Sequence, residues 1–150
     1  MTIHLVITGE PVAQGRPRIS TQGGHVRAYD PAKSRDYKHY IRLAATQQMG
    51  AVPPLEGALA LGMCVYRAIP KSFSKRRREA AERGEIRPTT KPDLDNYVKA
   101  AKDALNGIVW RDDSQIVSYV EPFGKFYSER PRIEIVVTQI GERSDKCTPT

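Results

Sequence analysis

Apolar and polar residues alternate along "TIHLVIT", residues 2–8, with the period of two that marks a β-strand with one face buried. "GEPVAQGRPR" follows as a loop punctuated by Gly and Pro. The period lengthens in "YDPAKSRDYKHYIRLAATQQMG", which predicts a helix started by Asp30 and Pro31 and stopped by Gly50. Tyr37, Ile41, Ala44 and Ala45 form its apolar stripe, and Lys33, Arg35, Lys38 and Arg42 make the remainder basic. "ALALGMCVYRA", residues 58–68, reads as a central strand, being too short for a membrane helix. Residues 69–92 form a polar connector with a short helix inside it. In "DLDNYVKAAKDALNG", Leu94, Val98, Ala101 and Leu105, continued by Ile108, recur at helical spacing. "QIVSYVEPFGKFY" predicts a strand, a Pro/Gly turn and a short continuation, and "RPRIEIVVTQ" another alternating strand. Together these predict an α+β domain over residues 1–140, with a small mixed sheet of about four strands and two main helices on one face. Residues 141–150 read as a polar, flexible tail.

Length and charge narrow the class. A single domain of 150 residues buries roughly 70% of its unfolded surface and needs no staples. The net charge of +7 and the isoelectric point near 9.6 favour a polyanionic partner, nucleic acid first. The N-terminus lacks the basic region and long apolar core of a signal peptide, and no apolar run is long enough to span a bilayer. Cys64 and Cys147 make no disulfide framework, which points to reduced thiols in a cytoplasm.

Against this basic background the acids gather. Asp93 stands at the start of the second main helix, Asp95, Lys99 and Asp103 lie along one stripe of it, each a turn from the next, and Asp112 and Asp113 stand after Trp110. Asp93 is readable as an N-cap, Asp95–Lys99 and Lys99–Asp103 as solvated i, i+4 pairs, and Asp112–Asp113 as a surface turn. The other reading joins the two acidic groups in space across the helix. Converging carboxylates repel unless a cation lies between them, and oxygen-only donors suit Mg²⁺, with Mn²⁺ as a substitute. His4, His25 and His39 are scattered and no Cys/His spacing suits zinc. A divalent ion on a basic surface is an arrangement for phosphodiester cleavage, where a lysine neutralises charge in the pentacovalent state. A sugar transferase using D-x-D with Mn²⁺ is disfavoured by the short chain and the positive field.

"KPDLDNYVKAAKDALNGIVWRDDSQIV" closely resembles the core motif of the RusA family of Holliday junction resolvases, and "GRPR", "YDPAKSRDY" and "GKFY" are similar to its phage and Gram-positive branch. The resemblance spans roughly residues 3–138 and rests on D-x-D-N-x-x-K, D-A-L-N-G and D-D-x-Q-I in order. It implies a dimeric, Mg²⁺-dependent endonuclease that resolves four-way DNA junctions by symmetric paired nicks in a bacterial or phage-infected cell. Asp93, Asp95 and one aspartate of the later pair match its metal-binding carboxylates, and Lys99 its catalytic lysine. Alignment through Trp110 makes Asp113 the matched ligand and Asp112 its helper. A non-catalytic branched-DNA-binding protein is the alternative.

The basic residues sort by position. Between residues 67 and 102, eleven Lys/Arg face five Asp/Glu, with Lys75, Arg76, Arg77 and Arg78 contiguous. These four are expected phosphate contacts, as are Arg16 and Arg18 of the early loop and Lys125 of "GKFY". Phe73 is readable as a wedge into an opened junction or as packing beneath the connector, and packing is favoured. The apolar strands around 58–68 and 131–138 offer edges as dimer-interface material.

Overall fold

The computed structural model describes residues 1–16, 18–24, 26–29 and 31–141, so His25, Asp30, Cys147 and nearly all of the expected tail lie outside the described residues. Six strands and three α-helices follow in order: β1 (Thr2–Thr8), β2 (Arg18–Ser20), β3 (Arg27–Tyr29), α1 (Ala32–Met49), β4 (Leu59–Ala68), α2 (Lys75–Glu82), α3 (Leu94–Leu105), β5 (Ile116–Ser128) and β6 (Arg132–Gln139). Four strands make a mixed sheet in the order β1-β6-β4-β5. β6 runs antiparallel to β1 and to β4, while β4 and β5 are parallel. This is the expected α+β architecture.

Register explains the core. Leu5 lies opposite Ile135 and Ile135 opposite Met63, while Ile7, Ile133 and Val65 form the next row. All six are buried, because pleating sends alternate residues to one face and rows of β-branched and long apolar side chains meet there. Tyr37, Ile41 and Ala45 of α1 and Tyr97, Val98, Ala101, Ala104 and Leu105 of α3 close over them in a single cluster. The alanines of α3 are what allow α1 to pack closely against it. α1 ends at Gly50 with a positive φ, as expected from sequence.

Three expectations need correction. Residues 116–128 form one continuous strand, not a strand, a turn and a continuation. β5 is an edge strand, so Pro122 can stand in it without removing a bond from a central ladder. Opposite, Gly62 has no side chain, and a Cβ there would meet the Val120 and Pro122 carbonyl oxygens at 3.2 and 3.3 Å. The strand therefore passes over a gap that any larger residue would fill, and the β4–β5 register shifts at this point. Second, a short antiparallel hairpin, β2–β3, takes Arg18 from the expected loop and Tyr29 from the expected helix, and otherwise uses residues to which the sequence assigned no element. Third, residues 58–68 and 131–138 belong to the two interior strands. Their edges are already paired, so what they can offer a partner is a face.

Candidate active site

The start of α3 is held from below. Lys125 Nζ donates to the carbonyl oxygens of Thr90 and Pro92, each at 3.0 Å, and Arg67 Nη1 reaches the Thr90 carbonyl at 3.2 Å. Lys125, expected at the DNA surface, is thus the anchor of the segment that delivers Asp93. Asp93 occupies the N-cap position with extended backbone, but its carboxylate makes no capping bond. The loop after β1 is pinned across the same turn. Gln14 N donates to the Asn96 carbonyl at 2.9 Å, and Gly15 N donates to Ser34 Oγ at 2.8 Å. A Cβ on Gly15 would stand 2.9 Å from both Ser34 Oγ and Pro31 Cγ, so the close approach of this loop to α1 depends on glycine.

The far end of α3 returns through Gly107, whose φ is 80°. Trp110 is fully buried, and its indole Nε1 donates to Asn106 Oδ1 at 2.8 Å. Arg42 Nη1 reaches the Ala104 and Asn106 carbonyls at 2.8 and 3.0 Å, supplying donors that the last turn of a helix lacks. Beyond Trp110, Gln115 binds the turn in four directions. Its Oε1 accepts from Arg111 N and Asp112 N at 2.8 and 3.0 Å, and its Nε2 donates to the Leu55 and Gly57 carbonyls at 2.9 and 3.0 Å. Asp112 caps the 3-10 turn Asp113–Gln115, accepting from Ser114 N at 3.0 Å. The Ser114 hydrogen bonds hold its carboxyl below the ordinary aspartate range.

The outcome is a cavity of about 380 Å³ beside α3, into which Asp95, Lys99, Lys102 and Asp103 turn from the helix and Asp113 and Tyr119 from the returning chain. Val98 and Gln14 complete its lining. A neighbouring cavity of about 580 Å³ shares Gln14, Lys99 and Asp103 and adds Arg16, Lys38 and Asn96. The i, i+4 pairs readable from sequence do not form. Asp103 instead bonds Lys38 Nζ of α1 at 2.9 Å. Asp95, Lys99 and Asp113 make no side-chain hydrogen bond or ion pair among the described residues. Three charged groups are therefore held on rigid elements with no partner among the described residues, while the charged residues beside them, Asp103 and Asp112, are engaged.

Of the residues singled out from sequence, the fold brings Asp95, Lys99 and Asp113 together, with Arg16 in the adjoining cavity. Asp93 is exposed at the helix start and Asp112 at the turn, and neither lines the cavity. The side chain of Arg18 lies outside the described ones. Lys75, Arg76, Arg77 and Arg78 lie on α2, which packs on β5 and contributes nothing to the lining. Arg78 Nη1 donates to the Pro70 carbonyl at 3.2 Å, and the Arg77 guanidinium sits 4.1 Å above the Phe73 ring. Phe73 packs edge-on against Tyr127, the packing role expected for it. Lys102, Tyr119, Gln14 and Gln115 do not stand out in the sequence. Only Gln115 leaves a trace there, in the D-D-x-Q spacing that a capping box requires.

No group of three His, Cys, Asp or Glu side chains among the described residues is arranged to enclose an ion. The donor set still suits a hard divalent cation. Three carboxylates open onto one cavity, of which Asp103 is engaged by Lys38, and Mg²⁺ typically keeps several waters, taking one or two protein carboxylates plus substrate phosphate oxygens. No helix among the described residues is long and apolar enough to cross a membrane.

Residues 8–138 match the family described as endodeoxyribonuclease RusA. The chain is also similar to the uncharacterized protein YqaN of Bacillus subtilis (strain 168), at 48% identity over 140 residues, covering 92% of this chain and 96% of that one.

Proposed function

The chain belongs to the RusA family of endodeoxyribonucleases, the Holliday junction resolvases, and on that premise we propose that it cuts four-way DNA junctions by paired symmetric nicks in an Mg²⁺-dependent reaction during recombination and repair. One observation carries the reading: Asp95, Lys99 and Asp113 line a single cavity and have no other partner among the described residues. Asp95 and Asp113 would hold the ion, and Asp93, which makes no capping bond at the helix start, is the further carboxylate that the family resemblance implies. A bound divalent ion supplies an activated water and offsets charge on the phosphate, and Mn²⁺ can replace Mg²⁺ in such oxygen-rich sites.

The remaining chemistry falls to the chain itself. Lys99 rises from the same helix face as Asp95, one turn on, so its ammonium would meet phosphate oxygens entering the cavity. There it stabilises negative charge as the pentacovalent state develops. Arg16, at the adjoining cavity, is placed to take the next phosphate. Lys75 and Arg76, exposed on α2, extend the positive surface along which a DNA arm can lie. Two copies, each with one site, would give the paired cuts, on DNA met in the cytoplasm of a bacterial or phage-infected cell.

The test is incubation of the protein with an end-labelled synthetic four-way junction, with Mg²⁺, with Mn²⁺ and with chelator. The reading expects symmetric nicks with either ion and none with chelator. Tight binding without cleavage under every ionic condition would make the chain a non-catalytic binder of branched DNA.

A further inference from the structure

An aromatic pair stands beside the proposed scissile position. On β5, Tyr119 and Phe123 stack with ring centroids 4.8 Å apart and planes inclined by 30°. Phe123 is partly buried against the core, so it backs Tyr119 with a fixed support. Lys102 Nζ of α3 donates to the Tyr119 hydroxyl at 3.1 Å and lies 5.5 Å from its ring centroid. The phenol is thus oriented by a charged hydrogen bond at its tip and by a ring behind it. Yet Tyr119 is 53% exposed, and it lines the same cavity as Asp95, Lys99 and Asp113.

A large ring held in one orientation but left half uncovered is suited to stack on a flat partner. Next to a phosphate-cleaving site on a basic surface, the flat partner available is a nucleobase. Aromatic stacking on bases is tolerant of sequence, because every base has a π-face. In a linear duplex those faces are covered by neighbouring pairs. At a branch point the stack is broken, and exposing a base costs less there. A stacking surface beside the cut would therefore favour branched over linear DNA without reading sequence.

We propose that Tyr119, supported by Phe123 and oriented by Lys102, is the platform on which a base flanking the branch point stacks while its neighbouring phosphate enters the cavity. This rests on the junction-nuclease reading above, so the experiment separates the two. A four-way junction and a linear duplex of the same arm sequence, carrying 2-aminopurine in turn at each base around the branch point, are titrated with protein in chelator. Cleavage of the same junction is then followed in Mg²⁺. The wild type should change 2-aminopurine emission at one flanking position. Tyr119→Phe should keep that change. Tyr119→Ala and Tyr119→Leu should abolish it and weaken junction binding by roughly 5- to 150-fold, the range for removal of one base stack. Duplex affinity and thermal melting should stay as in the wild type. Equal losses on junction and duplex would overturn the platform, as would Tyr119→Leu binding junctions like Tyr119→Phe, or wild-type emission unchanged at every position. A wild type that cuts the junction while failing these tests loses only the platform. A wild type that neither binds nor cuts it removes the nuclease reading, and the platform with it.

Discussion

Asp112 and Asp113 are covalent neighbours with separate tasks. The Asp112 carboxylate caps the turn that Gln115 fastens, and Asp113, one residue on, faces the cavity. Of the two only Asp113, first residue of the 3-10 turn, lines the cavity, so the cap made by one is what aims the other. Asp95→Asn and Asp113→Asn are each expected to lower junction cleavage by more than about a hundredfold, since several kcal/mol of charge stabilisation depend on an ion held there. Binding should hold or tighten, because a negative charge facing phosphate is removed. Asp112→Asn should stay within about tenfold of wild type, since asparagine caps as well as aspartate. Single-turnover cleavage beside equilibrium binding checks all three, and a loss in Asp112→Asn as deep as in Asp113→Asn would reverse the assignment. Lys99→Ala presents the converse case. It removes one of 24 Lys/Arg, so affinity should barely change while cleavage is lost. A variant that binds poorly yet cuts at the normal single-turnover rate would move Lys99 to the DNA-contact surface.

α2 and β5 set the limits of what the element pattern reveals. α2 is legible as a basic helix, but the number of cations it can offer DNA is not. Arg78 is tied to the Pro70 carbonyl and Arg77 lies over Phe73, leaving Lys75 and Arg76 for phosphate. Replacing both with glutamine should flatten the salt dependence of log K by about 0.9 for each phosphate left unneutralised, near 1.8 in all. Titrations across a salt series measure it, and an unchanged slope would put the DNA on another surface. The helices and β1 and β6 are readable because a regular buried face imprints its period on the sequence, and β4 because its apolar run is buried along most of its length. β2 and β3 have three residues apiece, too few for a period to register. β5 reads as two pieces because Pro122 and Gly124 are turn residues in most settings, and only its place at the sheet edge makes them tolerable. The site shows the same division. Asp95 and Lys99 share a helix face and can be paired from spacing alone. The removal of Asp103 to Lys38 of α1 and the arrival of Tyr119 opposite Lys102 depend on packing between distant segments.

A four-way junction is two-fold symmetric, and the described residues form one cavity that joins Asp95, Lys99 and Asp113. Two cuts at symmetry-related positions are most simply made by two copies about a two-fold axis, the commonest homo-oligomeric arrangement. The fold suggests which surface would join them. α1 and α3 cover one face of the sheet, and β4 and β6 are interior, so the surface left for a partner is the opposite face. There, by alternation with the core rows, stand Val6 and Val136, and beside Gly62 stands Val120; Val6 and Val120 are 39% and 38% exposed. Next to them runs a stack across three strands. Arg132 lies 3.9 Å over the Tyr66 ring, Tyr66 stacks on Phe126 at 5.6 Å, and Arg87 lies 4.1 Å over Phe126. A half-exposed apolar field bordered by arginine-capped rings has the makings of an interface, with an apolar centre and a polar rim. Sedimentation equilibrium at micromolar concentration should therefore give about twice the 16.8 kDa chain mass. Val6→Glu and Val120→Glu would each place a charge at the centre of that face in both copies at once, and should shift the mass toward the monomer. The same variants should nick junction strands singly, so that the nicked, still-branched product accumulates where the wild type yields linear duplexes. A protein that remains monomeric on the junction yet makes both cuts would show that one cavity serves both strands in turn, and the two-fold argument would fail.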